Sequence, residues 1–118
     1  MLRAKSGSSI WNLDPTLGAE IKKTRPVIIV NRDAVGNLPL RVIVPLTEGK
    51  PHHFRIRWMI PIDPDPQNGL TKASTADTFQ VRSLDERRFV RRLGKVGEGI
   101  MQAIERALAG VFGIRMKE

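Results

Sequence analysis

The stretch KKTRPVIIVN, residues 22–31, sets two lysines, a threonine and an arginine directly before a proline and a run of four β-branched residues. PVIIVN (26–31) is continuously apolar up to its last residue, as a strand buried on both faces is, and proline is tolerated at the first position of such a strand. Pro26 therefore fixes where the strand begins, and with it the position of Arg25 at the strand's mouth. Downstream, LRVIVPLT (40–47) has the same character, interrupted by Pro45. RDAVGNLP (32–39) carries Gly36-Asn37 and predicts a hairpin connection between the two. Two buried strands joined in this way form the centre of a sheet.

The remaining segments are placed around that pair. SIWNL (9–13) predicts a short first strand ending at the turn pair Asp14-Pro15. HFRIRWMI (53–60) alternates, with Phe54, Ile56, Trp58 and Ile60 on one face and Arg55 and Arg57 on the other, which predicts a half-buried strand with two outward arginines. PIDPDPQNG (61–69) predicts a loop, and TFQVRS (78–83) a strand with Gln80 and Arg82 on one face. SLDE (83–86) matches a helix capping box and predicts one short helical turn. FVRRLGKV (89–96) predicts the last strand. In EGIMQAIERALAGVFGI (98–114), Ile100, Ile104, Leu108 and Val111 recur at helical spacing, with Met101 and Phe112 widening the stripe. Short strands, glycine and proline turns and one closing helix predict a single, mainly β domain over residues 1–118: a half-open barrel with a C-terminal helix across its open end.

Charge is the strongest compositional signal. Twenty Lys and Arg against twelve Asp and Glu give a net charge of +8 in 118 residues, with a pI near 10.9. Such a surface attracts polyanions, of which nucleic acid is the commonest; an acidic protein partner or plain solubility are the other readings. Tyrosine is absent and aromatics are 5%, so a platform of stacking rings is not expected and phosphates would be the main contact. Cysteine is absent, which excludes disulfides and thiolate metal sites. No apolar run reaches the roughly 20 residues of a membrane span, and the basic start MLRAKSGSSIW lacks the apolar core of a secretory signal. The expected location is the cytoplasm, with no membrane association.

Little of the usual site chemistry is present. His52 and His53 are adjacent, so on an extended chain they point to opposite faces and do not chelate one metal. Phosphate-loop, dinucleotide and serine-hydrolase motifs are all missing. What remains is DPTLGAEIKKTRP (14–26), a polar connection between two rigid strands that gathers Glu20, Lys22, Lys23, Thr24 and Arg25. By pattern alone it is equally a solvated hairpin loop, and Thr47 is equally a plain strand-end residue.

IWNLDPTLGAEIKKTRPVIIVN (10–31), LPLRVIVPLT (38–47), NGLTKAS (68–74) and QVRSLDERRF (80–89), in that order, resemble the MazF/PemK family of toxin endoribonucleases. The resemblance runs from about residue 10 to 114. It implies an SH3-like barrel with a C-terminal helix, a homodimer, and sequence-specific cleavage of single-stranded RNA with neither metal nor other cofactor. It also implies an acidic antitoxin as partner, with operator DNA reached only through the toxin–antitoxin complex. Carried over residue by residue, the arginine of the family's RP motif is Arg25, the residue closing its P-[IL]-T strand is Thr47, and its loop glutamate is Glu20; these are the implied catalytic residues. Lys22, Lys23, Thr24, Asn31, Arg55, Arg57, Gln80 and Arg82 are the implied RNA contacts.

Two departures stand out. Some members carry an Arg-x-Asp pair just before the glutamine, where this chain has Asp77, Thr78 and Phe79, so that acid–base arrangement is not available. The family's RGDIWxVxL is met by SGSSIWNL (6–13), which predicts an irregular first strand. The rival reading is a non-catalytic, basic nucleic-acid-binding barrel.

Overall fold

The computed structural model describes residues 8–14, 25–32 and 38–115. These form seven strands and one α-helix: β1 (Ser9–Leu13), β2 (Pro26–Ile29), β3 (Leu40–Glu48), β4 (Met59–Ile62), β5 (Ser74–Asp77), β6 (Arg82–Asp85), β7 (Phe89–Lys95) and α1 (Glu98–Phe112). All pairings are antiparallel, in the order β4-β5-β3-β2-β1-β7, with β6 added on β3. The sheet is open, in agreement with the expected half-open barrel. No helix among the described residues is long and apolar enough to cross a membrane.

The long strand β3 organises the sheet. One edge pairs with β2 through Ile43–Pro45. The other edge is divided, with Leu40–Ile43 paired to β6 and Leu46–Glu48 paired to β5. Pro45, with no N–H to give to a ladder, lies in the gap. The continuous apolar runs have the two-sided burial they predict. Ile28 and Val44 join Ile10, Leu46, Ile62, Ala76, Val96 and the helix residue Ile104 on one side. Val27, Ile29 and Ile43 join Trp11, Leu13, Leu84 and Phe89 on the other.

Beyond β4, the loop that precedes β5 folds back onto β7, the edge strand. The Lys95 N–H donates to the Gln67 carbonyl at 3.0 Å. Gly69 has φ +70°, and a Cβ there would sit 2.1 Å from the Leu93 carbonyl oxygen; a Cβ on Gly94 would sit 2.1 Å from that of Gln67. Only glycines allow this approach of two backbones, which covers an otherwise unpaired strand edge. The first strand is irregular as expected, with two register shifts against β7.

Four local expectations fail, the first three because side-chain hydrogen bonds override a pattern. Residues 53–60 are not one strand: Pro51–Arg55 is a 3-10 turn that begins with proline, and its His53 ring accepts the Lys50 N–H at 3.2 Å. Phe54 is 78% exposed, so the alternation there marks no buried face. Thr78–Gln80 is also a 3-10 turn rather than strand. Asp77 accepts from the Phe79 N–H, and the Thr78 hydroxyl donates to the Trp58 carbonyl at 2.7 Å, satisfying groups a ladder would otherwise use. Ser83 lies within β6 and caps nothing; the short turn is Glu86–Arg88, capped by Asp85 accepting from the Arg87 N–H. In α1, the spacing holds for Ile100, Ile104 and Leu108, but Phe112 is 61% exposed and lies outside the core stripe.

Candidate active site

The mouth of β2 and the end of β3 lie side by side. The register pairs Val27 with Pro45; continued outward by two positions, it sets Arg25 opposite Thr47. Alternation along both strands puts these two side chains on the same side of the sheet, with Val27 and Ile43. The Arg25 carbonyl accepts from the Leu13 N–H at 3.2 Å, which ties its backbone to the rim while its side chain stays exposed. Among the described residues the Arg25 guanidinium has no ion-pair partner.

Thr47 is exposed, and its partner across β5 is Thr75, which is fully buried. The Thr75 hydroxyl oxygen lies 2.7 Å from His53 Nδ1, the nitrogen that also accepts the Lys50 N–H. An accepting Nδ1 carries no proton, so the Thr75 hydroxyl is the donor and the ring holds its proton on Nε2. This buried contact pins the chain just after Thr47 to β5. Sequence reasoning reads His53 only as one of two adjacent histidines that do not chelate a metal, and misses Thr75 altogether. No periodicity links residues 22 positions apart, so nothing in the sequence signals the contact.

The other predicted residues are scattered. Arg82 pairs with Ile43 across β3 and β6 and so shares the face of Arg25 and Thr47. Gln80 is held by Asp77, whose carboxylate accepts from its side-chain amide at 2.8 Å; Asp77 itself is buried and caps a turn. Asn31 sits beyond the far end of β2, about 20 Å along an extended chain from Arg25. Its side chain there accepts from the Val42 N–H at 2.9 Å and donates to the Arg32 carbonyl. Arg55 is exposed on the 51–55 turn. Arg57 flanks a groove of about 580 Å³ between the exposed Trp58–Phe79 ring pair and α1, with Arg106 on the same groove. Glu20, Lys22, Lys23 and Thr24 lie outside the described residues. Among those described, no three His, Asp or Glu side chains lie close enough to hold a metal ion.

What the rim offers chemically is a planar cation and a hydroxyl, aimed to one side from neighbouring strands. A guanidinium matches the oxygens of a phosphodiester with paired donors, and a threonine adds a third. A cation and a hydroxyl so placed have the chemistry to bind a phosphate and to offset charge that builds on it.

Comparison with known proteins leads to the same family. The family model described as PemK-like, MazF-like toxin of type II toxin-antitoxin system matches residues 9–112. Among solved structures, an endoribonuclease in complex with its cognate antitoxin from a Mycobacterial species superposes with a TM-score of 0.75 at 22% identity, over 95% of this chain and 98% of that one. The Mycobacterium tuberculosis toxin MazF-mt6 gives 0.72 at 20% identity, over 92% and 99%. A MazE-MazF structure from Deinococcus radiodurans gives 0.65 at 22% identity, over 93% and 95%.

Proposed function

Since the chain belongs to the PemK-like, MazF-like toxins of type II toxin-antitoxin systems, we propose that it is a sequence-specific, metal-independent endoribonuclease acting on single-stranded RNA in the cytoplasm. The observation that carries this reading is the register that brings Arg25 and Thr47 to one side of one rim.

RNA supplies its own nucleophile. The 2′-oxygen attacks the adjacent phosphorus in line with the departing 5′-oxygen; the 2′-O–P bond forms and the P–O5′ bond breaks. The products are a 2′,3′-cyclic phosphate and a 5′-hydroxyl. The protein must hold that alignment and neutralise charge on the non-bridging oxygens. Arg25 and Thr47 donate to those oxygens. A guanidinium is too weak an acid to give up its proton near neutrality, so arginine is a poor base. We assign removal of the 2′ proton to Glu20 or to water, since a carboxylate can be tuned toward neutrality; water returns a proton to the 5′-oxygen. Lys22, Lys23, Thr24, Arg55, Arg57 and Arg82 hold flanking phosphates, which sets affinity and salt dependence rather than base choice.

The partners follow from the same family membership: a second copy of the chain, and an antitoxin whose acidic segment competes with RNA for the cations. The groove flanked by Arg57 and Arg106 has the apolar floor and cationic edges that such a segment needs.

Incubation with single-stranded RNA of mixed sequence in EDTA tests the proposal. Discrete cuts with cyclic-phosphate ends, lost in Arg25→Ala and Thr47→Ala, are expected. Intact RNA across varied sequences overturns it, and RNA binding without cleavage establishes the non-catalytic barrel instead.

A further inference from the structure

A slot of about 330 Å³ opens on the side of the rim away from Arg25. Pro26, Leu70 and Leu93 form its apolar wall, and Asn12, Thr71, Lys72 and Arg91 supply its polar edge. Its place follows from the register. Asn12 pairs with Pro26 on one flank and with Arg91 on the other, so the three side chains form one row across β2, β1 and β7. Arg25, one residue before Pro26, projects to the opposite side. Arg25 and the slot therefore lie on the two sides of one strand end, and an RNA strand has to cross this edge to meet both.

The lining is biased toward donors. Lysine and arginine only donate, and among the described residues no carboxylate lines the slot. The Ser74 hydroxyl, also in the lining, is committed to the Lys72 carbonyl at 3.1 Å. Among the described residues neither Lys72 nor Arg91 has an ion-pair partner, although both stand on a surface where other cations are paired. Two cations over an apolar wall suit a flat ring that turns a keto edge toward them, O4 of uracil or O6 and N7 of guanine. They oppose the amine that cytosine or adenine presents at the corresponding position. We propose that the slot is a nucleotide subsite selecting a keto base, uracil or guanine, beside the phosphate held at Arg25. It rests on the reading of this rim as an RNA site.

Uracil and cytosine are alike in size and differ along one edge, an oxygen against an amine at C4 and a donor against an acceptor at N3, so they make the sharpest comparison. The probes are fluorescent 2′-O-methyl hexamers of U and of C, which lack the nucleophile and stay intact; affinity is read by anisotropy at several salt concentrations. The wild type is expected to bind the U hexamer about tenfold more tightly. Arg91→Ala and Lys72→Ala, both at exposed positions, are expected to bring the ratio close to one mainly by weakening the U complex. Equal binding of the two hexamers by the wild type, or of neither, overturns the subsite. So does a preference that survives both substitutions. A uniform loss with a shallower salt slope shows phosphate contacts only, and it too overturns the subsite. Cleavage in EDTA is scored separately. Cutting without base preference fells the subsite alone, and keto-selective binding without cutting fells the nuclease alone.

Discussion

The two ends of β3 treat the same residue type in opposite ways. At its start, Arg41 is 5% exposed, forms an ion pair with Glu86, and donates to the carbonyls of Leu38 and Leu40. Alongside, Arg87 is paired to Asp85. At its finish the ladder opens onto Thr47, exposed, with Arg25 opposite and no anion among the described residues to satisfy it. A buried guanidinium must be fully partnered or it opposes folding; an exposed one is hydrated and remains available to a ligand. Net charge alone does not tell these arginines apart. Their strand positions do, because one faces a folded-back turn and the other faces solvent at a rim.

The largest expected effect breaks the buried end. Glu86→Ala removes an ion-pair partner from the enclosed Arg41 cation, and it is expected to cost about 3 kcal/mol of stability, measured by urea denaturation. Below the midpoint RNA cleavage should persist, because Glu86 is remote from Thr47 along β3. Unchanged stability would erase the contrast between the two ends. The converse substitution is Arg25→Ala. At an exposed position stability should move by no more than about 0.5 kcal/mol. The rate of cleavage should fall about 10²–10³-fold, the cost of one oxyanion donor. A large stability loss with cleavage retained would reverse the assignment of the two arginines.

Both ends of that contrast are only partly legible in the residues themselves. PVIIVN and LRVIVPLT declare themselves because two-sided burial leaves no polar positions, and Pro26 marks the strand start that fixes Arg25. Thr47 follows as the other strand's end. What the pattern misses is local. HFRIRWMI has the period of a strand, yet His53 is turned inward to bond Lys50 and Thr75, and a period cannot report that bond. β5, Ser-Thr-Ala-Asp, has no apolar signature and is buried because β3 and β4 flank it. The row Pro26–Asn12–Arg91 brings three distant segments together through register alone, so the slot beside Arg25 has no sequence signal.

A smaller effect belongs to the buried end and acts through the backbone. Ser8 has φ +74°, a left-handed conformation disfavoured for a residue with a Cβ. It is held there by its N–H donating to the Ile29 carbonyl at 2.7 Å and its carbonyl accepting from the Val96 N–H at 2.9 Å. Aligned on Ile10-Trp11, the family's RGDIWxVxL has its glycine at this position. Ser8→Gly removes the strain at the cost of a freer unfolded chain, for an expected net gain of about 0.5–1 kcal/mol. A rise in thermal midpoint with unaltered cleavage would confine the irregularity of the first strand to stability.

The smallest effect distinguishes an exposed pair from the buried one beside it. Asp85 accepts from the Arg87 side chain at 3.1 and 3.2 Å and from the Arg87 backbone N–H at 2.8 Å. These bonds, the side-chain one foremost, hold its carboxyl below the usual carboxylate value. A depressed folded-state value means that the ionised group stabilises the fold above the ordinary carboxylate range, and that this contribution is lost as pH falls through the lower value. Asp85→Asn should therefore be slightly less stable than the wild type near neutrality, with the gap closing in acid. Because the pair is solvent-exposed, the gap should also narrow as salt is added. The Glu86→Ala deficit should respond far less to salt, since Arg41 lies out of reach of screening ions. Denaturation midpoints at two pH values and two salt concentrations compare the pairs directly. Equal salt sensitivity would mean that burial does not separate Arg41 from Arg87.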